Sequence, residues 1–392
     1  STCAPTPPRS MWQGSISSMS DTALRTGRYI GLDLLKVIAA VCIAMHHYQL
    51  YTATVFSGFN FYAVQNSDFN VAYLVILFFM ISGFLTEKQE QITNHPKTGK
   101  SLAGKFWHKL LRIYPVAIMA CFFFVAIAVL GKMLLGEWVW YEGGIGLWTL
   151  FNSFFLTQNM GIWRLDVWAN NSPTWYLSTL IFCYAVYYTV CYLANRWKVN
   201  RNWLNLILFL FFCSTKSFDY SLPFVSGEWG DQRGGMISFF LGTLLCEMIP
   251  YISRTFKKAL FAVSCMTLIV LLSGRADLVD NQWWIQALLL YPGIIMMALC
   301  ITDQPKSKVH QAIHFLGKTS YGVYIWHFPI FTFWMLICRV LQLSVPCTYG
   351  TLLLFAAVVE LLAIPLYLFV EKPLAKYMKK YEWQNLRPVD PL

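Results

Sequence analysis

The stretch YIGLDLLKVIAAVCIAMHHYQLY, residues 29–51, is apolar enough to cross a bilayer and yet contains four ionisable side chains. These side chains are Asp33, Lys36, His46 and His47. Ionisable groups inside a spanning helix are costly and usually face a cavity or a partner. Because a helix turns by about 100° per residue, Lys36 and His47 share one face, and Asp33 lies one turn before Lys36. The pattern predicts a functional site, with local bonding to neighbouring helices as the alternative.

The spacing of Lys36 and His47 also predicts their depth. At about 1.5 Å per residue they are separated by roughly 16 Å, about half the hydrocarbon thickness. Lys36 is then near one membrane surface and His47 is deep in the bilayer, whereas His46 points about 80° to one side. Such a helix face suits a site that receives a charged donor from one side and moves a chemical group inward.

The composition indicates an all-α polytopic membrane protein. Hydrophobic residues make up 57% of the 392 residues and charged residues only 12%, against about 25% in a soluble domain. The formal net charge is +11, but the basic residues stand in short loops between apolar runs, which does not favour nucleic-acid binding. Most of the eleven cysteines lie inside apolar runs without metal-ligand spacing, so we expect them to pack in the core and expect no metal site.

Apolar runs predict about ten transmembrane helices. A further run at 146–160 is short and polar, and we interpret it as a re-entrant or interfacial helix. Twenty-three Lys and Arg residues then fall on the side of the N-terminus and six on the opposite side, with Lys36 inside the first span. This asymmetry predicts that both termini are cytoplasmic. The predicted spans are 30–52, 68–86, 111–135, 174–194, 203–217, 235–252, 257–273, 283–301, 318–340 and 348–370.

The loop from Thr86 to Arg112 is basic and ends in the segment FWHKLLRIYP, residues 106–115. Apolar residues alternate with cations there, which is typical of an interfacial amphipathic helix held by lipid headgroups. The same cations, Lys109 and Arg112 among them, also suit a clamp for a polyanionic cytosolic ligand such as a phosphorylated cofactor. The two interpretations are compatible, and the sequence leaves both open.

Two later spans also contain ionisable groups. In GKTSYGVYIWHFPIF, His327 stands next to Pro329, which frees backbone groups that must find other partners. Glu360 in the last span must be paired or protonated. The alternative to a shared site is that His327 and Glu360 each bond a neighbouring helix locally. The cavity that we predict is lined by His47, His327 and Glu360 and opens outward near Trp175 and Arg233.

Seven motifs follow one another along the chain: GLDLLKVIAAVCIAMHH, LFFMISGFL, FWHKLLRIYP, PTWYLSTLIFCY, RGGMISFFLGTLL, LGKTSYGVYIWHFPI and FVEKPLAKYMKK. In this order they resemble the acyltransferase-3 family of integral membrane acyltransferases over about 30–378. The family's first-span signature is a basic residue, ten residues and then His. Lys36 and His47 match it, with Lys where Arg is commoner. The resemblance implies that both residues matter for acyl transfer, and it assigns roles to Arg112 and Arg233.

Members of the family use a cytosolic acyl-CoA, mostly acetyl-CoA, to modify a sugar hydroxyl beyond the membrane. The resemblance therefore implies an O-acyltransferase of the inner (plasma) membrane, in contact with membrane lipids, that acts on a cell-surface or lipid-linked glycan. We expect His47 to act as general base or to carry the acyl group briefly, and Asp33 to pair with Lys36. The alternative is a secondary transporter or channel with an intramembrane His/Glu relay, although we find no internal repeat.

The predicted site residues fall into three groups. The catalytic group is His47, Lys36 and Asp33. The acyl-CoA donor group is Lys36, Lys109, Arg112 and Tyr114. The acceptor group is Trp175, Arg233, Tyr321, His327 and Glu360. The predicted domains are a flexible cytosolic tail at 1–28, part of which we interpret as an expression scar or processed segment, an acyltransferase-3-like transmembrane domain at 29–378 and a cytosolic tail at 379–392.

Overall fold

The computed structural model describes residues 29–56, 69–92, 98–139, 146–158, 171–218, 231–274, 281–343 and 347–381. This part of the chain is 88% helical, with eleven helices and no strand, as the composition predicts. The predicted tail at 1–28 and most of the tail at 379–392 lie outside the described residues. The helices are α1 Ile30–Phe56, α2 Leu74–Ile92, α3 Gly99–Leu135, α4 Leu147–Phe155, α5 Trp175–Trp197, α6 Arg201–Ser217, α7 Gln232–Met248, α8 Arg254–Ser273, α9 Gln282–Leu299, α10 Lys308–Val340 and α11 Tyr349–Met378.

Nine of the described helices are long and apolar enough to span a membrane. α6 occupies the position of the tenth predicted span and has 17 residues. This is as many as α7, whose helical run continues to Tyr251. Arg201 at its start contacts Glu247 at the end of α7, and Lys216 at its other end binds Asp231 just before α7. α6 therefore runs antiparallel to α7 across the same thickness, which supports the predicted ten spans.

Within the described part of the run at 146–160, residues 146–158, the chain forms α4, a helix of nine residues and about 14 Å. A helix of this length cannot cross the bilayer, in agreement with the re-entrant or interfacial interpretation. Tyr114 of α3 donates a hydrogen bond to Phe154 O, and the rings of Phe122 and Phe154 lie 4.7 Å apart. α4 is thus packed along the side of α3.

The basic segment 106–115 belongs to a long helix that begins before the predicted span at 111–135. α3 begins at Gly99, after Thr98, whose hydroxyl accepts a hydrogen bond from Ser101 N over 3.3 Å, and it continues through Pro115 to Leu135. A cap determines where a helix begins, whereas a hydropathy run only marks where it enters the apolar layer.

Glycines let the central helices approach one another closely. Gly83 of α2 lies against the backbone of Phe239 in α7, and Gly242 of α7 lies against the backbone of Met80 in α2. A β-carbon at either glycine would overlap backbone atoms, so the crossing of these helices requires both residues. α1 packs along α10 in the interior, while α8 and α11 are mostly exposed on the outside of the bundle, as expected of lipid-facing helices.

Candidate active site

The structure brings His47 of α1 and His327 of α10 into direct contact. His47 Nδ1 lies 3.0 Å from His327 Nε2, and the two rings stack with centroids 4.9 Å apart and planes inclined by 27°. His327 is fully buried and His47 is half-buried. These two imidazoles, which the sequence placed in the catalytic and acceptor groups, form one unit, named the histidine pair below.

Backbone carbonyls determine which nitrogens of the histidine pair carry protons. His327 Nδ1 lies 3.2 Å from Val323 O, which can only accept, so Nδ1 is the donor and His327 Nε2 is an acceptor. His47 Nδ1 then donates toward His327 Nε2 and is also 3.1 Å from Ile43 O. In the neutral tautomer the lone pair of His47 is therefore on Nε2, the nitrogen that can take up a proton or attack a carbonyl carbon.

Aromatic residues and a third histidine surround the pair. The ring of Tyr324 is centred 5.9 Å from that of His327, and the ring of Phe328 is centred 6.4 Å from that of His47. His46 is buried, and its ring is centred 5.3 Å from that of His47. Charges interact more strongly in such an apolar setting than in water. The free energy of a positive charge on His47 therefore depends strongly on the polar atoms around its ring.

Pro329 frees a backbone carbonyl, as predicted, and the partner of that carbonyl is Asn171. Because proline has no N–H, Ile325 O, four residues earlier, lacks its helical donor. Asn171 Nδ2 donates to Ile325 O over 3.3 Å. The turn before α5 is thereby attached to the part of α10 that carries His327. Sequence analysis missed Asn171, for which the only signal was its place directly before the SPTW turn.

A chain of charged residues joins the N-terminal ends of α1 and α10, which the sequence predicts to be cytosolic. Lys36 Nζ lies 2.6 Å from Asp33 Oδ1, as the i,i+3 spacing predicts. The other oxygen, Asp33 Oδ2, lies 2.8 Å from His314 Nδ1, and His314 Nε2 lies 2.9 Å from Asp303 Oδ2. Lys36 is therefore positioned from α10 as well as from its own helix.

Sequence analysis missed His314 and Asp303. Both lie in the segment 302–318. The basic residues of this segment indicated the membrane topology, but its sequence contains no sign of a contact with α1. The contact of His314 with α1 depends on Gly317, because a β-carbon at this position would lie 2.6 Å from Asp33 Cβ. The packing of α10 on α1, rather than any local motif, brings these residues to Lys36.

Three residues of the predicted donor group lie on α3. Arg112 is exposed and forms no hydrogen bond or ion pair with another described residue. Lys109 Nζ lies 3.4 Å from Thr86 Oγ1 and 4.9 Å from the centre of the Tyr184 ring. The Tyr114 hydroxyl donates to a carbonyl of α4. Of the three, Arg112 is the one available to a ligand, whereas Lys109 and Tyr114 are engaged within the protein.

Two residues of the predicted acceptor group have partners away from the histidine pair. The Tyr321 hydroxyl donates to Ile113 O on α3 over 2.7 Å. Glu360 accepts a hydrogen bond from Thr319 Oγ1 over 3.3 Å. Thr319 stands eight residues before His327, about 12 Å along α10. The structure thus matches the alternative interpretation for Glu360, local bonding to a neighbouring helix.

Trp175 and Arg233, which the sequence predicts to face outward, contact α2 and α6. The ring of Trp175 is centred 6.2 Å from that of Phe79 on α2. Arg233 Nη1 donates to Thr215 O over 3.1 Å and so links α7 to α6. The turn that starts at Asn171, by contrast, bonds α10 two residues from His327.

The acyltransferase-3 family model, described as an acyltransferase domain, matches residues 29–368. The chain therefore belongs to the acyltransferase-3 family and is a multi-pass membrane acyltransferase. No curated protein and no solved structure matches it significantly. Of the two classes of function that the sequence left open, an enzyme and a transporter, family membership supports the enzyme.

Proposed function

We propose that this protein transfers an acyl group, which we expect to be acetyl, from cytosolic acyl-CoA to a hydroxyl of a cell-surface or lipid-linked glycan at the inner (plasma) membrane. The observation that carries the proposal is the 3.0 Å contact of His47 with His327 between α1 and α10. Lys36 is on the same helix, roughly 16 Å nearer the cytosol. A base deep in the membrane and a cation at its cytosolic surface suit transfer from a charged donor to an acceptor on the other side.

The histidine pair suits general-base catalysis. His47 Nε2 takes the proton of the acceptor hydroxyl while the hydroxyl oxygen attacks the thioester carbonyl carbon. The C–O ester bond forms, the C–S bond breaks, and the proton passes from His47 to the departing sulfur, so that CoA leaves as the thiol. His327 Nε2 accepts from His47 Nδ1 and stabilises the imidazolium. In a second route Nε2 attacks the thioester first, and an acyl-histidine intermediate then acylates the hydroxyl.

The donor approaches from the cytosol because the phosphates of acyl-CoA cannot enter the hydrocarbon layer unpaired. Arg112 suits a phosphate group, since a guanidinium binds two of its oxygens at once. Lys36, held by Asp33, supplies a second cation at the base of the α1 face that leads to His47. The pantetheine arm of acyl-CoA then spans the distance from the phosphates at the membrane surface to the thioester beside His47.

Radiolabelled acetyl-CoA added to inside-out membrane vesicles tests the proposal, because the donor then meets only the cytosolic face. We expect the label to enter hydroxylamine-labile esters in the glycan fraction and free CoA to appear in equal amount. Vesicles that contain the His47→Ala variant are the negative control. Vesicles that contain the His46→Ala variant control for the loss of a neighbouring buried histidine. Label that stays in acetyl-CoA when the parent protein is present would contradict the proposal.

A further inference from the structure

Two buried amide side chains near the outward end of α5 each have an oxygen without a donor among the described residues. These oxygens are Gln158 Oε1 and Asn171 Oδ1. Asn171 is fully buried, and Gln158 is 7% exposed. Buried polar atoms are nearly always hydrogen-bonded in native proteins, so two orphaned acceptors in one cluster require an explanation.

Hydrogen bonds of the N–H ends fix the orientation of both amides. Gln158 Nε2 donates to Thr174 Oγ1 over 2.6 Å, and Thr174 Oγ1 donates to Asn171 O over 2.8 Å. Asn171 Nδ2 donates in turn to Ile325 O. Because the protein uses the donor end of each amide, the buried carbonyl end is left without a donor among the described residues. Thr174 links the two amides, so they form one preorganised unit.

This unit lies within one helical turn of the histidine pair. Asn171 is bonded to Ile325, two residues and about 3 Å along α10 from His327. Tyr324 connects the two sites, since its hydroxyl donates to Pro173 O over 2.8 Å and its ring is centred 5.9 Å from that of His327. The unit is on the outward side, because α5 runs from it toward the basic segment 195–202.

The backbone of Asn171 is also unusual. It has φ 35° and ψ 61°, in the left-handed region that side chains other than glycine seldom adopt. Asparagine tolerates this region better than most residues, and such conformations concentrate at functional sites. The conformation is therefore what one expects of an amide that is held in place for a ligand.

Amide oxygens accept hydrogen bonds and cannot donate them, so their ligand must supply O–H or N–H groups. An acceptor substrate with several hydroxyls does so, whereas carboxylate and phosphate groups do not. We propose that Gln158 Oε1 and Asn171 Oδ1 bind hydroxyl groups of a neutral polyhydroxy acceptor and place its reacting hydroxyl at the histidine pair. The proposal rests on the acyl-transfer function proposed above and adds the residues that select its acceptor.

Ligand binding without acyl-CoA tests this site independently of catalysis. The probe is methyl β-D-glucopyranoside, and tetrahydropyran is the control ring without hydroxyls; both are titrated by saturation-transfer NMR against the full chain in lipid nanodiscs. We expect saturable binding of the glucoside alone. Gln158→Met, which keeps the side-chain length and removes the amide, should weaken that binding about fivefold, the effect of one neutral hydrogen bond.

Asn152→Leu is the matched control, because Asn152 Oδ1 already accepts a hydrogen bond from Thr157 Oγ1 over 2.8 Å. This variant should bind the glucoside as the parent does. Thermal unfolding checks that each variant is folded. If Gln158→Met does not fold, Thr174→Val, which removes the hydroxyl that orients Gln158, takes its place with the same expected loss.

Three results would overturn the proposal: no saturable glucoside binding by the parent, parent-like binding by the folded variant, or an equal loss in Asn152→Leu. A further result, a raised KM for acetyl-CoA in Gln158→Met with unchanged glucoside binding, would instead assign the two oxygens to the amide groups of the pantetheine arm. Acetyl-CoA turnover by the parent remains a separate measurement, so failure of this site and failure of the proposed acyl transfer are distinguishable.

Discussion

Replacing His327 with phenylalanine tests the histidine pair, because it removes one hydrogen-bond acceptor and keeps a ring of similar size. His47 Nδ1 has two acceptors, His327 Nε2 at 3.0 Å and Ile43 O at 3.1 Å, and only the carbonyl remains in the variant. A hydrogen bond from a charged donor contributes about 1.5–3 kcal/mol, and His47 is charged only after it has taken the acceptor's proton. Since about 1.4 kcal/mol corresponds to a tenfold change in rate, kcat should fall about 10- to 150-fold with little change in KM for acetyl-CoA.

The assay is the steady-state release of the CoA thiol by purified protein over a range of acetyl-CoA concentrations. His46→Phe is the matched control, since it makes the same replacement at the adjacent buried histidine. His327→Gln offers an amide oxygen in place of the imidazole nitrogen and should recover part of the rate, which a purely space-filling role would not predict. A folded His327→Phe protein whose kcat stays within about twofold of the parent's would show that the hydrogen bond from His47 to His327 does not support catalysis.

Three further substitutions test the donor side and the packing. Arg112→Met should raise KM for acetyl-CoA about tenfold, measured from initial rates, because a charge-assisted phosphate contact is lost; an unchanged KM would assign the residue to lipid headgroups. His314→Leu removes a partner of Asp33, so Lys36 is less well positioned and KM for acetyl-CoA should rise. His314→Gln should restore KM toward the parent's value. The same KM in His314→Leu and His314→Gln would contradict this role. Gly242→Val should destabilise the fold by roughly 1–3 kcal/mol, seen as a lower midpoint of thermal unfolding, because its side chain overlaps the α2 backbone; an unchanged midpoint would show that the two helices separate easily.

The helical repeat of α1 was sufficient to predict which of its residues pair and which face the interior. Asp33 and Lys36 are paired as their spacing predicts, and His47 faces the interior, where it meets His327. Proline chemistry likewise predicted a freed carbonyl near Pro329. These features were predictable because they depend on spacing within one helix or on one residue's covalent structure.

Partners from other segments could not be predicted in this way. Asn171 bonds Ile325 across more than 150 residues of sequence, and His314 reaches Asp33 only because α10 packs on α1. The sequence placed Glu360 correctly inside a span, but the direction of its carboxyl depends on how α11 is rotated against α10. Single-helix periodicity contains no information on such tertiary pairings.

A single-turnover measurement shows whether His47 performs acyl transfer. Purified parent, His47→Ala and His46→Ala proteins are each mixed with substoichiometric labelled acetyl-CoA and membrane-extracted glycan, and the loss of thioester is followed in time. We predict complete consumption by the parent, slower but complete consumption by His46→Ala and no consumption above the uncatalysed rate by folded His47→Ala. Consumption by His47→Ala at the parent's rate would show that His47 does not perform the transfer.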